Sequence, residues 1–416
     1  MSRRPSRLYR LTPELPKPLL RVRHSEGLDV TDDAIGSVSI THGSTGGVAT
    51  GLTPAQLGVE VTGYRSTSLG ATLTADLTDA AASAIGSLCG VGPQFIKARF
   101  RGRVGRQSVE DNSSAARRVS TIDAVSWSRQ LSNAEQTAPA SYNRNVGVFL
   151  QDVMTPGWGG FDPVTRADSL ENYGEINEAM GEMTYSDAEG QFLPDYGLWA
   201  RDRRGGGIDL LTRSWRRSTA LANYSGLMPL TRSMALAPAT WEQSIEDTPI
   251  NYYFIWTNAD GSPGAGNYGD LDDPSRRTVE VDLSHIRVAG PHLNTYGESL
   301  KAAQWTGAYE VPSLTVDLLM LMRSPYEAHR KQAGQILALQ PGDPVTFSGD
   351  WPELLRGIYF AEGISESMTP DQWQITLSLV PFQNVTGELS PIVRPRTWES
   401  ATDRWSEATY SWASIA

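Results

Sequence analysis

The residue types that most often carry catalysis or bind metals are scarce in this chain, and their spacing matches no familiar site. The five histidines are His24, His42, His285, His292 and His329. No two of them stand as His-x-x-x-His or His-x-His, the spacings that bring two imidazoles to one zinc ion. Cys89 is the single cysteine, so no intrachain disulfide can form and no Cys–His nucleophile is recognisable. We therefore predict neither a catalytic residue nor a metal site.

One glycine-rich segment matches a phosphate-binding motif in its residue types but not in the residues that follow it. Residues 264–269 read Gly-Ala-Gly-Asn-Tyr-Gly, the pattern of a dinucleotide-binding turn. Such a turn must open a helix whose N-terminus holds the pyrophosphate, but an acidic run follows at residues 270–273 and would repel it. That run also fits no EF-hand spacing, so a solvated loop is a better interpretation than a Ca²⁺ site. We expect no cofactor.

Charge divides the chain into a basic end and an acidic body. Residues 1–25 hold six Arg and one Lys against Glu14, about +6, and the net charge is −11, so the remainder carries about −17. Neutralising DNA phosphates requires clustered Lys and Arg, so this body argues against wrapping DNA. The negative charge would suit a channel through which DNA slides. It would equally serve only to keep the protein in solution. The longest apolar run, residues 316–322, contains Asp317 and is too short to span a bilayer.

The elements that position these residues are predicted to be mostly β-strands, most clearly between residues 341 and 382. One strand there shows the period-2 alternation of a half-buried strand, with apolar positions at Trp373, Ile375, Leu377 and Leu379. Residues 356–365 form its predicted partner, and a Thr-Pro-Asp turn at residues 369–371 joins the two. This hairpin contains no catalytic group, so it indicates assembly rather than chemistry.

The same hairpin resembles the last barrel of the baseplate-hub proteins of tailed bacteriophages, which are minor tail proteins of siphophages that infect actinobacteria. The shared order is Gly-Asp-x-Val, a glycine-rich strand, and then Thr-Pro-Asp-x-Trp-x-x-Thr-Leu-x-Leu-x-Pro. Its residues here are Gly342, Asp343, Val345, Thr369, Pro370, Asp371, Trp373, Thr376, Leu377, Leu379 and Pro381. The motif covers about a tenth of the chain, and any hairpin with a Pro-Asp turn shares part of it.

The resemblance implies an α+β, mainly β, fold built from two tail-tube-like β-barrel modules. The expected order is a basic extended arm (1–26), a first barrel (27–135), an inserted mixed α/β region (136–307), a second barrel (308–387) and a Trp-rich tail (388–416). It also implies a homotrimeric hub ring that adapts a sixfold tail to a threefold tip and forms part of the DNA-ejection channel. The implied partners are the distal tail protein, the tape-measure protein and other minor tail proteins, while DNA passes without specific binding. Such a protein is not an enzyme, has no membrane segment, and ends in the virion tail tip after synthesis in the host cytoplasm.

Local patterns predict the other elements. In the first barrel the predicted strands are residues 35–41, 59–62, 71–77, 96–104 and 120–127, with a helix at 79–88 capped by Thr78 and a disordered-looking loop at 107–118. The last two strands echo the C-terminal hairpin and suggest a repeat. The inserted region has predicted helices at 146–154 and 170–183, a hairpin at 199–202 and 207–211, and a strand at 251–258. The second barrel opens with a predicted strand at 311–322. A helix follows that begins at a Ser324–Glu327 capping box and reaches about residue 339.

Two sets of terminal side chains are predicted to dock on partners. The arginines of the arm suit extended contacts with acidic or apolar grooves, and they are Arg3, Arg4, Arg7 and Arg10. The tryptophans of the tail, seven residues apart, suit insertion into pockets, and they are Trp398, Trp405 and Trp412. A helix packed on the chain's own body would give the same spacing.

Three other functions fit this sequence. A distal tail protein has the same barrel type but forms a hexameric ring, so copy number separates it from a hub. A host-binding minor tail protein would stack the tail tryptophans on cell-wall sugars. A wall hydrolase would need two carboxylates close in space, which a sequence does not reveal.

Overall fold

The computed structural model describes residues 15–126, 199–236, 251–287 and 311–386 with short gaps, together with residues 129, 165–166, 175–176 and 241. Twelve described strands form one large sheet, and seven more form two small sheets. The described helices are short and few by comparison. The prediction of an α+β, mainly β, fold is therefore confirmed.

The first module, residues 20–126, is an antiparallel sheet with two helices. Its strands are β1 (Leu20–His24), β2 (Asp29–Thr31), β3 (Ile35–Gly43), β4 (Gln56–Thr62), β5 (Thr72–Leu77), β6 (Ala98–Asn112) and β7 (Arg117–Ser126). They lie in the order β3-β4-β7-β6-β5-β1-β2. Helices α1 (Asp79–Cys89) and α2 (Pro93–Ile96) connect β5 to β6. The predicted cap of α1 is confirmed, since the Thr78 hydroxyl accepts a hydrogen bond from the N–H of Ala81 at 3.2 Å.

The structure specifies one prediction in this module and corrects two. Residues 20–24 of the predicted extended arm are extended and belong to the sheet of this module, because β1 lies between β2 and β5 with Leu20 and Val22 buried. The predicted strand at 96–104 starts two residues later, since Pro93 begins a helical turn that ends at Ile96. The predicted loop at 107–118 is mostly strand, since β6 runs to Asn112 and β7 begins at residue 117. Its polar residues suit a ribbon exposed to water, which gives no amphipathic pattern.

The region between the modules contributes two small sheets. Its elements are β8 (Thr165–Arg166), β9 (Glu175–Ile176), β10 (Trp199–Asp202), β11 (Ile208–Leu211), α3 (Arg213–Ala222), β12 (Met228–Leu230), β13 (Asn251–Thr257), β14 (Pro263–Tyr268) and β15 (Thr278–Arg287). The predicted β10–β11 hairpin and the β13 strand are confirmed. Residues 264–268 of the glycine motif lie in β14, which pairs antiparallel with β13. The helix predicted at 170–183 is wrong where β9 pairs with β15, and the one predicted at 146–154 lies outside the described residues.

The second module, residues 313–386, contains the hairpin predicted from the sequence. Its elements are β16 (Ser313–Asp317), α4 (Leu318–Met322), α5 (Glu327–Ala338), β17 (Asp343–Phe347), β18 (Gly357–Thr369), β19 (Gln372–Pro381) and α6 (Phe382–Thr386). The predicted strand at 311–322 is wrong beyond Asp317, whose carboxylate accepts from the N–H of Met320 at 3.0 Å and caps α4. The capping box at Glu327 is also wrong. The Ser324 hydroxyl instead bonds His329 Nδ1 at 2.8 Å, and no side chain caps α5.

The β6–β7 and β18–β19 hairpins have the same hydrogen-bond register. In β6 a one-residue bulge lies between Val104 and Arg106. In β18 the bulge lies between Ala361 and Gly363. Each strand then continues for seven further residues to its turn. The repeat that the sequence only suggested is therefore present in the backbone, although the residues differ.

Each hairpin is preceded in the chain by a glycine turn, and in both modules this glycine bonds to the first strand of the hairpin. The N–H of Gly70, with φ 83°, donates to the carbonyl of Val104 at 2.8 Å. The N–H of Gly342, with φ 79°, donates to the carbonyl of Ala361 at 2.6 Å. A positive φ favours glycine at both places. The two modules thus share the strand that leads into the hairpin as well as the hairpin itself.

Candidate functional site: the seam between the modules

The two modules meet along β3 and β18, which pair antiparallel from Gly43 against Gly363 to Val38 against Met368. We call this pairing the seam. At its end the N–H of Ser44 donates to the carbonyl of Glu362 at 3.0 Å. A Cβ on Gly363 would overlap the Ser44 carbonyl oxygen, and a Cβ on Gly43 would overlap the Glu362 carbonyl oxygen. The close approach of the backbones therefore requires glycine on both strands.

A fully buried ion pair crosses the seam. Arg99 of the first module and Glu366 of the second both have 0% exposed side chains. Arg99 Nε lies 3.2 Å from Glu366 Oε2, and its Nη2 contacts Oε1, so the guanidinium binds the carboxylate with two parallel contacts. Arg99 Nη1 also donates to the carbonyl of Leu337 at 2.8 Å, and Trp373 Nε1 donates to Glu366 Oε2 at 3.4 Å. Buried charges are tolerated only with partners of this kind.

A second guanidinium reaches the same carboxylate. Arg204, from the turn between β10 and β11, donates through Nη1 to the carbonyl of Leu337 at 2.6 Å. Its Nη2 lies 3.4 Å from Glu366 Oε1. Burial and the neighbouring charge of Arg99 lower the pKa of Arg204 to about 9. Burial opposes ionisation of Glu366, but the charges of Arg99 and Arg204 hold its pKa below the usual range. The carboxylate is therefore ionised and shared between two arginines.

His42 completes the cluster as a neutral group. Its Nε2 lies 2.8 Å from the carbonyl oxygen of Arg99, so this nitrogen carries the proton and donates it. Burial, and then the charge of Arg204, lower the pKa of His42 to about 3. The imidazole therefore stays uncharged near neutral pH, which avoids placing a third positive charge beside Glu366.

The β10–β11 hairpin ties both modules from outside the seam. Asp202 accepts from the N–H of Ala55, in the first module, at 2.9 Å. Arg201 binds Asp209 of its own hairpin at 2.8 Å and Asp343 of the second module at 2.8 Å. A short, largely buried hairpin fixes the two modules relative to each other, with a hydrogen bond to the first module and an ion pair to the second. This hairpin of the inserted region is thus bound to both modules.

These charges lie inside the molecule, so they position backbone rather than meet a substrate. Burial raises the pKa of the Cys89 thiol to about 11, which keeps it protonated and unreactive. Among the described residues, no group of three or more His, Cys, Asp or Glu could hold a metal ion. No helix in that part of the chain is long and apolar enough to cross a membrane.

Sequence reasoning missed the seam residues. One signal was available, because Glu366 stands between Ile364 and Met368 on the inward face of an alternating strand, where an acid needs a buried partner. The partner itself lies 267 residues away along the chain. The predicted docking residues all lie outside the described residues, so their role stays a prediction: Arg3, Arg4, Arg7, Arg10, Trp398, Trp405 and Trp412.

Comparison with solved structures identifies the architecture. The 43 kDa tail protein of prophage MuSo2 from Shewanella oneidensis superposes with a TM-score of 0.58 at 13% identity, covering 88% of this chain and 99% of that one. The tail protein of Neisseria meningitidis MC58 gives 0.55 at 14% identity, covering 88% and 98%. The chain has the fold of prophage tail proteins. No protein-family model and no curated protein sequence matches it, so the likeness lies in the backbone.

Proposed function

We propose that this chain is a structural subunit of a phage tail, and within the tail a component of the baseplate-hub ring at the tip. The observation that carries the proposal is the pair of modules with one hairpin register, fixed side by side in a single chain. The shared fold supports it, because it extends over nearly the full length of two phage tail proteins.

The proposed mechanism is mechanical rather than catalytic. Three copies would place six similar modules around one axis, so the ring could meet a sixfold tail on one side and a threefold tip on the other. The buried ion pair at each seam would keep two modules moving as one body. The acidic balance of about −17 beyond residue 25 would let DNA pass without adhering. The proposed partners are the distal tail protein, the tape-measure protein and other minor tail proteins of the virion.

The test is a cryo-EM reconstruction of the intact tail tip in which copies of this chain are counted. Three copies, each with two modules around the channel, would support the hub. Six copies with one module each at the lumen would instead make the chain a distal tail protein. Copies away from the channel would favour host binding, for which loss of glycan binding in Trp398→Ala, Trp405→Ala and Trp412→Ala variants is the direct check.

The basic end offers a second test. Because residues 20–24 belong to the sheet, the deletion must stop before them. We expect removal of residues 1–14 to leave both modules folded, as judged by circular dichroism, and to block incorporation into tails. Normal incorporation of the shortened chain would show that the arm does not dock the subunit.

A further inference from the structure

The negative charge of the chain is concentrated in two stretches of the inserted region. Residues 136–198 contain ten acidic side chains and two arginines, a net charge of −8. Residues 237–307 contain ten acidic side chains and four basic ones, a net charge of −6. The first module, residues 20–126, has ten acidic and ten basic side chains and is neutral. A basic partner is therefore attracted to the inserted region rather than to the first module.

The second of these acidic stretches forms most of a sheet that has one buried and one exposed face. Its strands lie in the order β14-β13-β15-β9. Tyr252 and Phe254 of the central strand β13 are buried on one face. Tyr253 and Ile255 lie on the opposite face, because side chains alternate along a strand, and both are half-buried. We call this second face the outer face of the β13 sheet.

The outer face repeats one arrangement at two positions along β13. Tyr253 lies opposite Asn267 of β14 and opposite Glu280 of β15. Ile255, two residues further, lies opposite Asp282 of β15. Asn267, Glu280 and Asp282 are exposed. Each position therefore combines a large side chain at the centre of the sheet with an exposed carboxylate on the neighbouring strand.

An arginine side chain fits this arrangement better than any other cation. Neighbouring strands lie about 4.8 Å apart, so one guanidinium can stack on the ring of Tyr253 while it binds the carboxylate of Glu280. The carboxylate of Asp282 lies two residues along the same strand, a rise of about 7 Å. A second arginine of an extended segment reaches it, with its aliphatic stem over Ile255. The outer face thus suits a segment with several arginines.

We propose that the outer face of the β13 sheet binds the basic N-terminal segment of this chain, residues 1–14. The segment carries four arginines (Arg3, Arg4, Arg7 and Arg10) against the single acid Glu14. Its charge is opposite to that of the stretch that forms the sheet, and its prolines predict an extended backbone that presents the arginines. This inference rests on the proposed docking of the basic end and names the surface that receives it.

Binding of a labelled peptide of residues 1–14 tests the surface. The receptor is the full chain with the four arginines of its own segment replaced by glutamine, so that this segment does not compete. We expect saturable binding in fluorescence anisotropy that weakens as salt is added. Glu280→Lys/Asp282→Lys in the receptor should lower the affinity at least about tenfold, because two charge-assisted contacts become repulsive.

The matched control changes the same charge elsewhere. Glu110→Lys/Asp371→Lys alters one exposed carboxylate of each module and should change the affinity by less than about threefold. A peptide with glutamate in place of its four arginines should bind the Glu280→Lys/Asp282→Lys receptor more tightly than the parent receptor. Tyr253→Phe should retain binding of the original peptide and Tyr253→Ala should weaken it, since the ring supplies the stacking surface. Circular dichroism checks that each variant is folded.

The outcomes separate the surface from the docking of the basic end. Equal affinities of the Glu280→Lys/Asp282→Lys receptor and its control would overturn the surface. A peptide that does not bind the receptor would overturn it as well. If removal of residues 1–14 still blocks incorporation into tails, the docking of the basic end stands and uses another surface. Normal incorporation of the shortened chain would overturn the docking itself.

Discussion

Replacing Glu366 by glutamine should destabilise the protein more than any ordinary surface change, because it leaves two buried guanidinium groups facing a neutral amide. The amide oxygen can accept from only one of the two Arg99 nitrogens, Nε and Nη2, that contact the carboxylate, and Arg204 loses a charge 3.4 Å from its Nη2. At an effective dielectric constant of about 20, opposite charges about 4 Å apart attract with about 4 kcal/mol. Removing one member of a buried pair typically costs about 3–5 kcal/mol. We expect Glu366→Gln to lower the free energy of unfolding by about 4 kcal/mol.

The measurement is denaturant unfolding followed by tryptophan fluorescence, to which the neighbouring Trp373 contributes. Glu110→Gln is the matched control, since Glu110 lies on the exposed part of the equivalent strand and its change should cost less than about 0.5 kcal/mol. Adding Arg99→Met to Glu366→Gln should recover part of the loss, because it removes one of the two uncompensated charges. A loss no larger than that of the control would refute the account of the seam as a charge-dependent junction.

Three further changes have calculable effects. The pKa of His42 is about 3 in the folded protein and 6.5 ordinarily. As the pH falls from 6.5 towards 3, the imidazole is therefore protonated in the unfolded chain but not in the folded one. Stability should therefore drop by about 2 kcal/mol between pH 7 and pH 5 in denaturant titrations, and His42→Gln should remove that part. Gly363→Ala should separate β3 from β18, seen as faster amide hydrogen exchange along both strands, because its Cβ would overlap a carbonyl oxygen. Thr78→Ala should cost about 1 kcal/mol in thermal unfolding, through loss of the cap of α1.

Local signals were sufficient wherever one face of an element is apolar and its ends carry turn residues. The β19 strand shows strict alternation from Gln372 to Leu377, and Gly342 occupies a turn that requires positive φ. Thr78 was identifiable as a cap because it precedes an Ala-rich helix. In these places each residue's preference agrees with its neighbours, so the sequence alone predicts the element.

The failures have physical causes of two kinds. The outer part of the β6–β7 hairpin is polar, and the five residues of α4 are all apolar, so neither shows the periodicity that separates strand from loop or helix. The seam is invisible for another reason. Its two strands, and the ion pair between Arg99 and Glu366, come from opposite ends of the chain, and no local pattern records which strands will become neighbours.

The placement of Glu366 has a consequence for how a closed ring could yield. In the proposed ring, the two modules of one chain are joined by the buried Glu366 carboxylate as well as by the chain itself, whereas modules of different chains have no chain in common. A load along the axis would part the weaker boundaries first, so the aperture would widen as three paired leaves rather than six single ones. The threshold force for widening would then depend on the side chains between copies, and it could change between related phages without any change in the fold of the subunit.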